Sequence, residues 1–302
     1  MNTPKTSPIP KFGLIIVGDE ILSGKRQDKH LSKIIELLSA RGIALEWAEY
    51  VGDSPQRITA TLKRAFDSGD IVFSTGGIGA TPDDHTRQCA AKALGVALHL
   101  HPQAEALIRE RMQDTARDQG TEYLPDHPDN IHRLNMGMIP VGAQIIPNPY
   151  NKIPGFYVLN ELQFSAGQPQ GKLAPSGGSA PRAAGERGGV FFVPGFPVMA
   201  WPMVEWVLDT LYPHLHQQSA YQEKSVIVFG AMEAALTPLM ERLEAAYTGI
   251  KVFSLPSVDH PQYGRHIELG VKGAPDEVAL AYPVMLQGLH DFGARLGAEL
   301  VR

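Results

Sequence analysis

The sequence holds a single cysteine, Cys89, in 302 residues. A lone thiol closes no intrachain disulfide and supplies no cysteine-based zinc centre. Such sparing use of cysteine fits a reducing compartment, and a cytoplasmic location is expected. Long apolar runs are missing as well. No stretch approaches the roughly 20 residues needed to span a bilayer, and residues 1–10 lack the apolar segment of a secretory signal. Positive charge is not in excess: 27 Lys and Arg stand against 32 Asp and Glu, for a net charge of −5. A general nucleic-acid binder needs a basic surface to displace counterions. Neither a nucleic-acid nor a membrane partner is therefore expected. Internal repeats and coiled-coil heptads are absent too. What remains is an ordinary soluble composition, 43% hydrophobic and 20% charged, on a chain long enough for one large domain and a small one.

The first half alternates strand and helix. Phe12–Val17 is a short, continuously apolar run, the pattern of a strand buried on both faces. Leu31, Ile34, Ile35, Leu37 and Leu38 keep helical spacing, with Asp28 as a candidate N-cap and Gly42 as a stop. Residues 43–51 read as a strand. Ser54-Pro55 then opens a helix carrying Ile58, Leu62, Ala65 and Phe66, which Gly69 ends. Residues 70–74 are the next buried strand. This order predicts a parallel sheet with right-handed crossovers. Helices are predicted over residues 84–94 and 102–119, with an extended segment at 97–101 between them, and residues 120–138 read as irregular. Strands are predicted at 144–147, 156–160 and 190–193, and a helix at Pro197–Leu211. Residues 165–189 are rich in Gly, Pro, Ser and Ala and read as a flexible surface loop. After Pro213 the pattern resets to β-α-β-β-α, with the last helix drawn over 276–296. The expected organisation is a tail at 1–10, a large α/β domain at 11–215 and a small α+β domain at 220–302.

The strongest local signal is Ile71-Val72-Phe73-Ser74-Thr75-Gly76-Gly77-Ile78-Gly79-Ala80-Thr81-Pro82-Asp83-Asp84, a buried strand entering a glycine turn and then a helix. In open parallel sheets, ligands bind beyond the carboxyl ends of the strands. Glycines let the backbone approach a phosphate or a pterin, and free N–H groups supply donors. The turn lacks the Gly-Lys-Ser/Thr of a Walker A loop and does not match GxGxxG, and by itself it also reads as a plain tight turn. Asp83 and Asp84 read either as helix caps or as carboxylates that hold a metal or move a proton. Val17-Gly18-Asp19-Glu20-Ile21-Leu22 and Gly52-Asp53-Ser54 end two further strands on the same sheet edge. Three strand ends bearing glycine and carboxylates point to an anionic-ligand site more than to polar surface turns. His99 and His101 alternate along an extended segment and could share a metal, but no third ligand accompanies them.

With these residues in view, the chain resembles the molybdopterin-binding domain family, in the form found in the amino-terminal part of CinA proteins. The resemblance is carried by Val17-Gly18-Asp19-Glu20-Ile21-Leu22, Val51-Gly52-Asp53, the Thr75–Asp84 stretch, Pro147-Asn148 and Val193-Pro194-Gly195-Phe196-Pro197. It implies a three-layer α/β/α core on a mostly parallel sheet, followed by a small α+β domain, and a site for molybdopterin or a related nucleotide. An aspartate important in the family falls on Asp84, and a second acidic position falls on Asp53; these are the catalytic candidates. Some CinA-type domains cleave ADP-ribose at its pyrophosphate with a metal, and the related domain of eukaryotic FAD synthase cleaves FAD. Such chemistry implies a divalent cation, Mg²⁺, Mn²⁺ or Co²⁺, with Asp19, Glu20 and Asp84 as candidate ligands. Gly18, Thr75, Gly76, Gly77, Gly79, Thr81, Asp83, Pro194 and Gly195 would surround the ligand. Asn130, Arg133 and Asn148 would orient it, Arg133 through its forked donors. A homo-oligomer is implied by the same likeness. The sequence departs from the family pattern at residues 149–155, at Ala80 where proline is usual, and at Asp19 where threonine is usual. The amidohydrolase domain of longer CinA proteins has no counterpart here, so no deamidase activity is expected. Both a pyrophosphatase and a non-catalytic binding protein need this same edge.

Overall fold

The computed structural model describes residues 10–160, 188–216 and 222–301. The chain divides into two compact units, residues 1–216 and 217–302. The tail expected at residues 1–10 and the loop expected at 165–189 lie almost wholly outside the described residues; Gly189 belongs to a strand.

The first unit is built on a six-stranded sheet. Its strands are β1 (Phe12–Val17), β2 (Leu45–Val51), β3 (Ile71–Thr75), β6 (Gln144–Ile146), β7 (Gly155–Leu159) and β8 (Gly189–Val193), in the order β2-β1-β3-β8-β7-β6. Strands β2, β1, β3 and β8 are mutually parallel, and β7 runs antiparallel to both of its neighbours. Side chains alternate across a strand, and β1 shows why an uninterrupted apolar run suits this position. Phe12, Leu14 and Ile16 pack with helices α2 (His30–Ser39) and α7 (Pro197–Leu211) on one face. Ile15 and Val17 pack with α3 (Pro55–Ser68) and α4 (Thr86–Leu94) on the other. The result is a three-layer α/β/α domain with a mostly parallel sheet. Phe73, Phe191 and Phe192 are fully buried between the layers, each contributing on the order of 1.5–3 kcal/mol. The edge strand β2 alternates half-buried and exposed residues, as one uncovered side requires.

Several boundaries differ from the sequence reading. Asp28 does cap α2, accepting from the N–H groups of His30 (2.8 Å) and Leu31 (3.1 Å). Ser54 precedes α3 without a side-chain capping bond. Helix α4 begins at Thr86 rather than at residue 84, because Asp83 and Asp84 belong to the preceding turn. The segment expected to be irregular contains α6 (Pro128–Arg133) and a 3₁₀ turn, Leu134–Gly137. The extended segment near His99 is β4 (Leu98–Leu100), which pairs with β5 (Met138–Pro140) in a separate two-stranded sheet flanking α5 (Pro102–Asp118).

The second unit carries β9 (Gln222–Phe229), α8 (Glu233–Ala246), β10 (Ile250–His260), β11 (Gly264–Gly273), α9 (Pro275–Asp291) and β12 (Arg295–Val301). Its antiparallel sheet has the order β10-β11-β9-β12. The final strand corrects the expected β-α-β-β-α pattern. Gly293 takes a left-handed conformation, φ 81°, and ends α9 well before residue 296. No helix among the described residues is long and apolar enough to cross a membrane.

Candidate functional site

Because β2, β1, β3 and β8 run parallel, their carboxyl ends open on one edge of the sheet. Backbone bonds tie these ends pairwise. Gly18 N–H donates to Val51 O (3.0 Å), and Gly76 N–H donates to Val193 O (3.1 Å). Between the first two strand ends, where the one-turn helix α1 (Asp19–Leu22) begins, lies a reciprocal bracket. Asp19 N–H donates to Asp53 Oδ2 (2.9 Å), and Asp53 N–H donates to Asp19 Oδ1 (3.1 Å). Each carboxylate thus has one oxygen held by the backbone and one without a partner among the described residues. Burial raises the Asp53 carboxyl above its usual range, and the neighbouring charges of Asp19, Glu20 and Asp83 raise it further, against the bond from Asp19 N–H.

The glycine turn needs its glycines at two positions in particular. Gly76 and Gly77 have φ values of 94° and 68°. A Cβ on Gly76 would run into the Val17 carbonyl oxygen, and one on Gly77 into Thr86 Oγ1. Thr86 is fully buried; its hydroxyl donates to Gly76 O (3.1 Å) and its N–H to Gly77 O (2.9 Å). The far end of the turn is closed by Asp84, whose Oδ2 accepts from Thr81 N–H (2.8 Å) and Thr81 Oγ1 (2.5 Å). Asp84 therefore holds the turn and does not cap α4. Asp83 is exposed, and Thr81 holds its carboxyl below the usual range. Between these fixed ends, the N–H groups of Gly77, Ile78, Gly79 and Ala80 reach no acceptor among the described residues. Four successive amides without a partner are donors that an anion could accept from, although the Asp84 carboxylate lies against Gly79.

Three side chains hold the turn and its neighbours in place from distant segments. His132 Nε2–H donates to Ala80 O (2.9 Å), which brings α6 onto the turn. The carbonyl can only accept, so this nitrogen carries the proton. His30, 4% exposed, donates from Nε2 to Gly195 O (3.1 Å) and so fixes the Pro194-Gly195 turn; Gly195 in turn packs on Gly76. Arg87 is 3% exposed and donates to Asn135 O (2.7 Å). Burial lowers its pKa, and the Asp84 charge opposes that shift. Nothing in the local pattern announces these roles, since each side chain acts on a segment distant in sequence or on a carbonyl.

The family model described as a probable molybdopterin binding domain matches residues 13–216. The chain belongs to this family. A CinA-like protein of Syntrophotalea carbinolica is 28% identical over 246 residues, covering 78% of this chain and 50% of that protein. Protein TV0584 of Thermoplasma volcanium is 28% identical over 243 residues, covering 80% of this chain and 79% of its own. The chain thus spans about half the length of the CinA-like relatives it matches. Among solved structures, CinA of Thermoplasma acidophilum aligns with a TM-score of 0.49 at 24% identity, covering 67% of this chain and 99% of that one.

Not every residue expected to serve a ligand in this molybdopterin-binding domain is free to do so. Thr75 is 1% exposed, and its hydroxyl faces Ile15 O (3.5 Å) inside the sheet. Asn148 is spent on its own loop. Its amide donates to Asn151 Oδ1 (2.8 Å) and Ile153 O (2.9 Å), and its oxygen accepts from Tyr150 N–H (3.0 Å). Asn130 donates to Leu124 O (2.8 Å) and accepts from Arg133 Nη1 (3.0 Å), so the two expected orienting residues bind each other on α6. The expected metal set of Asp19, Glu20 and Asp84 is not assembled, because Glu20 faces Arg26 (3.8 Å) and Asp84 faces Thr81. Among the described residues, no three His, Cys, Asp or Glu side chains are grouped to hold a metal ion. His99 and His101 do meet, with ring centroids 5.8 Å apart, but without a third ligand.

Proposed function

We propose that this protein binds a phosphorylated pterin or nucleotide at the carboxyl edge of its first sheet and cleaves a nucleotide pyrophosphate such as ADP-ribose or FAD. The observation that carries the reading is the run of four unclaimed amides, Gly77 to Ala80, held open by Thr86 and Asp84. Preorganised donors of this kind stabilise charge on a reacting phosphate without reorganisation. A divalent cation, Mg²⁺, Mn²⁺ or Co²⁺, would neutralise phosphate oxygens and acidify an attacking water. Asp19 would hold it through its unpartnered oxygen. Asp53, with its raised carboxyl and its own unpartnered oxygen, would accept the proton of that water. Asp84 keeps the amide array in shape through Thr81.

Incubating the purified chain with ADP-ribose or FAD and each metal tests this, with AMP release as the readout. Release should fall sharply in Asp53→Asn and Asp84→Ala. Release no greater than in those variants rejects the cleavage step. The absence of an assembled three-residue metal set among the described residues favours a second reading, a non-catalytic carrier of the same ligand class. Tight binding without turnover, indifferent to metal, would establish it. Self-association, suggested by family likeness alone, is read by sedimentation.

A further inference from the structure

Phe196 leaves 54% of its surface open to solvent at the carboxyl edge of the first sheet, where β8 passes into α7. A single exposed apolar side chain is ordinary, but the backbone of this one is pinned on both sides. Ahead of it, the buried His30 holds Gly195 O (3.1 Å). Behind it, Pro197 opens α7, and Phe196 O accepts from the N–H groups of Met199 (3.0 Å) and Ala200 (2.9 Å). A fixed backbone thus presents the ring to solvent, which lowers the ordering cost for anything that binds it. The ring also lies beside the glycine turn. Gly195 packs on Gly76, since a Cβ on the first would sit 3.4 Å from Cα of the second. Phe196 and Gly77 follow this touching pair, so their Cα atoms are within about 13 Å of each other. Arg26 covers part of the ring, its guanidinium carbon 5.7 Å from the centroid, within cation–π range. Arg26 belongs to the segment after β1 and Phe196 to the segment after β8, and these two strands flank β3 in the sheet. Their contact bridges the end of the strand that enters the glycine turn.

An open aromatic face beside phosphate donors suits a flat ring carried by a phosphorylated ligand. Every base or pterin has a π face, and stacking holds it without reading its edges. A guanidinium alongside adds a second flat surface. We propose that Phe196 is the platform on which the planar ring of the ligand stacks while its phosphate lies on the Gly77–Ala80 amides, with Arg26 flanking the stack. This rests on the ligand-binding reading above and adds the residue by which the site prefers nucleotides and pterins to sugar phosphates. A phenyl ring carries no donor or acceptor, so Phe196 distinguishes a ring from none and leaves the choice among rings to other groups.

Calorimetry on the full chain compares AMP with ribose 5-phosphate, which keeps the sugar and phosphate but has no base. Wild type should bind AMP more tightly. Phe196→Ala should weaken AMP by about 5-fold or more, the low end for one stacked base, and leave ribose 5-phosphate unchanged. Phe196→Trp should restore the preference, and its added indole should be quenched by AMP beyond any change in the three native tryptophans. Val198→Ala, which truncates a similarly exposed side chain (53%) in the first turn of α7, should bind both ligands as wild type does. All three variants should melt within a few degrees of wild type, since neither residue is buried. Equal binding of AMP and ribose 5-phosphate by wild type, or an AMP preference that survives Phe196→Ala, would overturn the platform and leave the glycine-turn site standing. So would the same loss of AMP binding in Val198→Ala, or a Phe196→Ala effect confined to self-association in sedimentation, which would make this edge a contact between copies. Failure of the wild type to bind either ligand would instead overturn the ligand-binding reading and this inference with it.

Discussion

Asp53 shows how one carboxylate records the electrostatics of the whole edge. Its burial and the charges of Asp19, Glu20 and Asp83 favour the protonated form, while a single backbone N–H favours the ionised one. The folded chain therefore keeps this proton over a pH window in which the unfolded chain has lost it. The stability so contributed is complete below the unfolded pKa of about 3.9 and is lost as pH rises through the higher folded value. Asp53→Asn keeps an oxygen for Asp19 N–H and cannot ionise. It should raise Tm over wild type at about pH 7 and give no such gain at about pH 3. A Tm difference that does not change with pH would show that Asp53 is not strained by its neighbours. The same residue is the proposed proton acceptor, so this variant should gain stability at neutral pH as it loses activity, the trade expected of a site held against its own stability.

At the scale of elements, the glycine turn is kept in place by α4, through Thr86. Its hydroxyl is buried against Gly76 O and its N–H against Gly77 O. Thr86→Val keeps the shape but leaves a buried carbonyl without its donor, which costs about 1–3 kcal/mol in urea unfolding. It should also weaken phosphate binding, because the amide array loses its anchor; wild-type affinity would separate the array from Thr86. The strands and glycines of this site were legible in the sequence because burial on both faces and positive φ each leave a residue-type signature, as in Phe12–Val17 and Gly76-Gly77. Capping was legible only in part. Asp28 behaves as its position suggests, whereas Asp84 is captured by Thr81 three residues back, a competition that the residue types alone leave undecided. Asn148 looked free to meet a ligand because nothing in a sequence shows that its loop will fold back onto its amide. Arg87 and His30 were invisible for the opposite reason: their partners are backbone carbonyls, and carbonyls carry no residue identity. Strand β12 was lost to the helix reading because Ala294 and Leu296 extend the apolar spacing of α9 past Gly293, and only the left-handed turn breaks it.

For the whole molecule, the division into two units can be argued from the cores themselves. The two clusters that sandwich the first sheet draw on residues up to 215, and the third draws only on residues 226 to 296. Among the described residues, no buried cluster mixes the two. The third is compact: Val226 and Val228 of β9, Leu269 and Val271 of β11, and Val278, Met285 and Leu289 of α9 are essentially inaccessible to water. A unit of this size removes only about 60–65% of its unfolded surface from water, so its stability is expected to be small but cooperative. The fragment 217–302, expressed alone, should unfold in urea in one transition with an m value of about 1 kcal/mol/M. The fragment 1–216 contains every residue assigned to the ligand site and should bind AMP as the full chain does. A fragment 217–302 without a cooperative transition would mean that its core depends on the rest of the chain. Loss of AMP binding by a folded 1–216 would mean that the carboxyl-edge site is incomplete without the second unit, and the two outcomes are independent of each other.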